Sequence, residues 1–113
     1  MAYNEKLTKR VREALLHLGN VTEKKMFRGI TFMVNGKMCF STGDYRLMCR
    51  IDPSIHDEIL QKKSCETMTM KNREYIGYIY VHEDNLVEEK DFNFWINLAL
   101  DYNEKIVALK KKK

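Results

Sequence analysis

Asn35-Gly36 stands between two runs rich in apolar and β-branched residues, Gly29 to Val34 and Lys37 to Thr42. A tight hairpin turn needs two consecutive residues at positive φ. Asn-Gly adopts that pair of conformations readily, so the segment predicts an antiparallel hairpin. Two registers are open to it. A two-residue loop sets Phe32 against Cys39 and Ile30 against Ser41. A three-residue loop with Gly36 as the left-handed residue of a bulge sets Phe32 against Met38 and Ile30 against Phe40. The second gathers Ile30, Phe32, Met38 and Phe40 on one apolar face and is the register expected. Gly43-Asp44 reads as a second turn, leading into a strand over Tyr45 to Ile51. A two-residue loop there puts Phe40 opposite Leu47 and Met38 opposite Cys49. On that register Cys39 and Cys49 point to opposite faces and cannot bond each other.

Helical periodicity flanks this strand block. Leu7, Val11, Ala14, Leu15 and Leu18 recur at helical spacing, which predicts a helix over Glu5 to Leu18 with Asn4 as N-cap and Gly19 just past its end. Lys24 to Phe27 reads as a short strand. Asp52-Pro53 opens a short helix, with Asp as N-cap, Pro in the first turn, and Ile55, Ile59 and Leu60 as its buried stripe. Gln61 to Ser64 is a polar loop. Glu66 to Met70 and Tyr75 to Val81 read as strands joined through Asn72-Arg73, and His82 to Asn85 ends the second. A last helix starts near Glu88 or Asp91 and runs to about Leu109 on a stripe of Phe92, Trp95, Ala99, Tyr102, Ile106 and Leu109. This order, α-β(3-4)-α-β(2)-α, predicts an α+β two-layer sandwich: an antiparallel sheet of five to six strands with helices mainly on one face. Residues 1–109 are expected to form a single domain and 110–113 a basic lysine tail.

Composition narrows the class. A chain of 113 residues with 44% hydrophobic residues can bury roughly two-thirds of its unfolded surface, enough for a core without disulfide or metal staples. The formal charge of +4 suggests nucleic acid until it is located. Lys110 to Lys113 carry four of the 20 basic residues, which leaves 16 against 16 acidic ones. No apolar run approaches the roughly 20 residues of a membrane span, and Met1 to Leu7 lacks the apolar stretch of a secretory signal. A cytoplasmic location follows as the expectation. Cys39, Cys49 and Cys65 match no zinc or redox spacing and read as free thiols in a reducing compartment.

The chain carries no pattern for catalysis. His82-Glu83-Asp84 reads as a strand-to-helix turn. His17 sits at a helix end and His56 on the exposed side of its short helix. No Ser or Cys stands beside a local base, and the glycines are scattered singly rather than gathered in a phosphate loop. No catalytic, cofactor-binding or metal-binding residues are expected, no cofactor, and no enzyme activity. Three features suit binding instead. Ile76, Tyr78 and Tyr80 share one face of their strand, with Tyr75, Gly77, Ile79 and Val81 on the other. If Ile79 and Val81 face the helices, an aromatic-apolar sheet face is left for a partner or a second copy, or the tyrosines simply cover the sheet. Six of the seven methionines fall in or beside strands, as adaptable contacts or as core filler. Lys24, Lys25 and Arg28 cluster at the first strand, as an anion-binding patch or as an edge that discourages strand pairing.

The pieces Val21-Thr22, Lys24-Lys25, Met26-Phe27-Arg28-Gly29, Asn35-Gly36-Lys37-Met38, Leu47-Met48-Cys49-Arg50 and Gly77-Tyr78-Ile79-Tyr80-Val81, followed by Trp95 and Ala99, resemble in that order the TfoX N-terminal domain. That domain stands at the front of bacterial competence regulators. Arg28 departs from the family, which has a glycine there. The chain also ends where the larger regulators continue, so it reads as a stand-alone copy. The resemblance implies a small α+β fold with an antiparallel sheet and no catalytic residues. It implies a role in transcription and competence regulation together with the cyclic-AMP receptor protein. The reading of the whole is a non-catalytic interaction module for a protein partner, with a homodimer through the open sheet face as a further form. Its interaction surface is drawn from Lys24, Lys25, Arg28, Ile76, Tyr78 and Tyr80. Direct nucleic-acid binding through the basic edge and tail, or a small-molecule site, are the alternatives, and no membrane contact is expected.

Overall fold

The structure, a computed structural model, describes residues 5–26 and 29–111. Its helices are α1 (Glu5–Ala14), α2 (His56–Lys62) and α3 (Glu89–Lys111). Its strands are β1 (Val21–Met26), β2 (Gly29–Val34), β3 (Lys37–Thr42), β4 (Arg46–Arg50), β5 (Glu66–Met70) and β6 (Arg73–His82). The strands form one fully antiparallel sheet in the order β1-β2-β3-β4-β6-β5. The fold is therefore α+β, with the last hairpin reversed so that β6 lies inside the sheet and β5 at its edge.

Asn35 and Gly36 sit at φ 55° and 80°, and Val34 pairs with Lys37, so the first turn is the two-residue loop. The three-residue loop expected is corrected. Paired left-handed residues match the right-handed twist of the flanking strands. Beyond the turn neither expected register holds. Met33 faces Met38, but a bulge then inserts Cys39, so that Phe32 faces Phe40 and Ile30 faces Thr42. One extra residue brings Phe40 onto the core face beside Phe32 and leaves Met38 on the other side. The Gly43 loop is also longer than expected. Thr42 pairs with Leu47 and Phe40 with Cys49, and Gly43 N–H donates to the Arg46 carbonyl at 3.0 Å. The pairing slips by two residues, so the side chains of β4 keep their expected faces. All three cysteines are free.

One face of the sheet carries the core. Ile30, Phe32, Phe40, Leu47, Cys49, Ile79 and Val81 pack with Leu7, Val11 and Leu15 of the first helical segment and Phe92, Trp95, Ile96 and Ala99 of α3. Burying each large side chain contributes about 1.5–3 kcal/mol. Polar contacts lock the layers together. The Thr8 and Thr42 hydroxyls meet at 2.6 Å, and Arg10 donates to the Leu86 carbonyl at 2.6 Å with its guanidinium 4.0 Å over the Phe92 ring.

The helices differ from expectation in detail. α1 ends at Ala14 rather than Leu18, and the chain continues in tightened turns in which Leu18 N–H reaches the Leu15 carbonyl. Those turns still bury Leu15. Asp52 caps a 3-10 turn over Pro53–Ile55 that precedes α2, its carboxylate accepting from Ser54 N–H at 2.9 Å. In α3 the buried stripe swings by one position. Asn103 is buried and Tyr102 half-buried, because the Asn103 amide donates to the Val34 carbonyl at 2.9 Å where β2 ends. α3 runs through Lys110 and Lys111, and Lys112 and Lys113 lie outside the described residues. The turn between β5 and β6 is Lys71-Asn72, at φ 52° and 64°, not Asn72-Arg73.

The expectation of an exposed His56 is overturned: the side chain is 1% exposed. Its Nδ1 accepts Gly77 N–H at 2.9 Å and its Nε2 meets the Thr67 hydroxyl at 2.8 Å. A backbone donor at Nδ1 fixes the ring as the neutral form protonated at Nε2, which donates to Thr67. Helical periodicity failed here because α2 is too short for its stripe to be read.

Candidate interaction surface

The face opposite the helices is built by the alternation that builds the core. Directly opposed residues of antiparallel strands share a face. Lys24, Thr31, Ser41, Met48, Tyr80 and Glu66 are consecutive partners across all six strands, and they form one row on the helix-free side. The centre of the row is small and polar, with the Thr31 hydroxyl donating to Ser41 Oγ at 3.2 Å. Its end at β6 and β5 is aromatic and charged.

Two clusters occupy that end. In the first, the Arg46 guanidinium lies 3.6 Å from the Tyr80 ring centroid and 5.3 Å from that of Tyr45, and Arg46 pairs with Glu66 at 3.5 Å. His82 packs on Tyr45 at 5.4 Å between centroids, and its Nδ1 accepts Asp84 N–H at 3.1 Å, so His82-Glu83-Asp84 is the strand-to-helix turn expected. In the second, Met38, Met68, Met70, Tyr75 and Tyr78 line a depression of about 240 Å³. Tyr75 and Tyr78 meet edge to face at 6.4 Å, and Arg50, opposite Tyr78 in the ladder, lies 5.5 Å from its ring and 5.8 Å from that of Tyr102.

Gly77 explains why Tyr75 belongs here. Strict alternation assigns Tyr75 to the helix side. Gly77, however, takes φ 95°, and between Thr67 and Met68 the β5–β6 pairing skips from Ile79 to Tyr75. That irregularity turns Tyr75 back beside Tyr78. A side chain at Gly77 would sit 3.1 Å from Pro53 Cγ and 3.2 Å from the Ile51 carbonyl, so glycine alone fits this crossing.

The residues named from sequence do not form one patch. Tyr78 and Tyr80 sit on the helix-free face. Ile76 is 52% exposed and does not line the depression. Lys24 shares the face of the tyrosines, but at the far edge, four strand spacings or roughly 19 Å from β6. Lys25 faces Ile30 on the helix side, so the two lysines diverge. Arg28 lies outside the described residues. The sequence reading missed Tyr75, Arg46 and Arg50 as members of this surface, and had Met38, Met68 and Met70 only among the six strand methionines read as adaptable contacts or core filler. Period-2 counting could have placed Arg46 and Arg50 opposite Leu47 and Cys49, but the bulges hid the rest.

Burial pushes the Cys39 thiol up to about 12 and holds Cys49 well above its ordinary range, and Cys65 is raised by desolvation and by Glu66. None is an activated nucleophile. Among the described residues no cluster of three or more His, Cys, Asp or Glu side chains could hold a metal ion. No described helix is long and apolar enough to cross a membrane.

No curated protein and no solved structure matches the chain. The model of the TfoX N-terminal domain matches residues 13–102, which contain the whole six-stranded sheet and most of α3. The chain belongs to the TfoX N-terminal domain family.

Proposed function

We propose that this domain is a non-catalytic interaction module that acts in the bacterial cytoplasm on transcription and competence, by holding a protein partner on its helix-free sheet face. Its family is one of non-enzymatic regulatory domains. The observation that carries the reading is the second cluster of that face: tyrosines and methionines of β3, β5 and β6 drawn around a depression at one end of the sheet. Tyrosine, methionine and arginine are the residues enriched where proteins meet. By the family's resemblance to competence regulators, the partner to test first is the cyclic-AMP receptor protein.

The test is a titration of the purified chain with the host's cyclic-AMP receptor protein, read by calorimetry. Sedimentation of the chain alone monitors self-association through the same face. A saturable complex that Tyr78→Ala/Tyr80→Ala weakens supports the reading. No complex, or one indifferent to both substitutions, overturns it. A parallel titration with duplex DNA, with and without Lys110 to Lys113, separates nucleic-acid binding by its steep salt dependence.

A further inference from the structure

The charge that balances over the body of the sequence does not balance over the sheet. On the helix-free face the described strands place Lys24, Arg46, Arg50 and Arg73 against a single carboxylate, Glu66. Glu66 is already engaged by Arg46 at 3.5 Å. Basic side chains of the helices are answered by acids, Arg12 of α1 by Glu23 of β1 at 2.6 Å and Lys105 of α3 by Asp52 at 2.7 Å. Arg50 and Arg73 have no carboxylate within salt-bridge distance among the described residues. Both are ladder neighbours of residues that line the depression. Arg50 is opposed to Tyr78 in the ladder, and Arg73 to Met70. Glu74, the nearest acid in the chain to Arg73, is opposed to Thr69 and falls on the other face of the hairpin.

We propose that this end of the face binds an acidic, extended segment of a partner protein. One apolar side chain of the segment seats among Met38, Met68, Met70, Tyr75 and Tyr78, and flanking carboxylates meet Arg50 and Arg73. The proposal rests on the reading of the face as a protein-binding surface and specifies what is bound. Three thioethers and two rings make an adaptable apolar seat, and two guanidiniums at its rim select carboxylates with directed, paired hydrogen bonds. The rings do not offer the free stacking platforms that single-stranded nucleic acid uses. The Tyr80 ring is covered by Arg46 at 3.6 Å, and Tyr75 meets Tyr78 edge-on. The seat, of about 240 Å³, holds a side chain rather than a chain of bases.

The experiment is a selection from a random-peptide library on the immobilised full chain, followed by affinity measurement of the enriched peptides. The expected peptides carry Asp or Glu beside Leu, Met or Phe. Arg50→Gln/Arg73→Gln weakens them about tenfold or more, while Lys62→Gln, on α2, leaves them unchanged. Methionine methyl resonances report seating directly, and Met38, Met68 and Met70 shift on binding. Thermal melts of both variants, matching the parent, exclude misfolding as the cause. Enrichment of peptides without acidic residues overturns the proposal. So do equal affinity for Arg50→Gln/Arg73→Gln, no enrichment at all, or tighter binding of oligothymidylate than of any peptide. A partner complex that depends on Tyr78 and Tyr80 but not on Arg50 or Arg73 rejects this inference and leaves the broader reading standing. Loss of all partner binding rejects the broader one.

Discussion

His56 Nδ1 accepts the backbone N–H of Gly77 at 2.9 Å, joining the start of α2 to the irregular turn of β6 that sets the tyrosine face. The imidazole is buried, and its other nitrogen meets the Thr67 hydroxyl on β5. One side chain thus satisfies a backbone donor that the skipped pairing between β5 and β6 frees from the ladder. It also ties the edge strand to the helix layer.

His56→Ala strips the partner from a buried N–H and a hydroxyl. The expected loss is about 2–4 kcal/mol in urea unfolding, since each buried polar group left unpaired costs about 1–3 kcal/mol. Gly77→Ala is expected to cost about 1–3 kcal/mol, because alanine at φ 95° is strained and its Cβ crowds Pro53 and Ile51. Stability unchanged in both variants would show that this junction does not hold β6.

Asn103 joins α3 to the first hairpin. Its amide donates to the Val34 carbonyl at 2.9 Å and its carbonyl accepts from Asn35 at 3.3 Å. Asn103→Leu keeps the volume but leaves the Val34 carbonyl unpaired, and should lower stability by about 1–3 kcal/mol. Asn103→Asp, which keeps the acceptor and loses the donor to Val34, should be at least as costly. Denaturant midpoints of the two variants measure this.

The Asp52 carboxyl is held down to about 2, first by the hydrogen bond from Lys105 and then by Ser54. The ordinary value is 3.8. A depressed acid stabilises the fold above its unfolded pKa, and that contribution is lost as pH falls through the folded one. Thermal melts should therefore show a loss between about pH 4 and pH 2 that Asp52→Asn reduces. Because the pair is at the surface, salt should weaken the effect. A pH profile identical in Asp52→Asn would refute the assignment.

Thiol reactivity should divide the cysteines. Cys39 and Cys49 are buried with raised pKa, so at neutral pH they react with a disulfide reagent only as the protein opens. Cys65 is partly exposed and should be modified first in the folded protein. Modification of Cys49 at the rate of Cys65 would contradict the packing of β4 against the helices.

The hairpins and helices were legible because each rests on a local rule. Asn35-Gly36 marks a turn whichever register follows, and Phe92, Trp95 and Ala99 declare a helix by spacing alone. The faces of β4 survived although its register failed, because the β3–β4 slip was by two residues and a slip of two preserves parity, whereas the one-residue bulge at Cys39 moved Met38 off the expected face. The surface was less legible. His56 was misplaced because a seven-residue helix shows too few turns to reveal its stripe. Tyr75 was misassigned because the irregularity at Gly77 breaks the alternation on which the reading depends.

The sequence by itself determined the α+β class, the positions of the strands, the family resemblance and the neutrality of the body once the lysine tail is removed. These follow from periodicity, turn chemistry and counting, which act over a few residues. Only the tertiary structure decided that β6 lies inside the sheet, that Cys39 and Gly77 are the points where pairing skips, and that the balanced charge separates onto faces. Strand order and bulges depend on contacts between residues far apart in the chain, where no local rule reaches. They set Arg50 opposite Tyr78 and Arg73 opposite Met70 and leave both without a carboxylate in salt-bridge distance among the described residues.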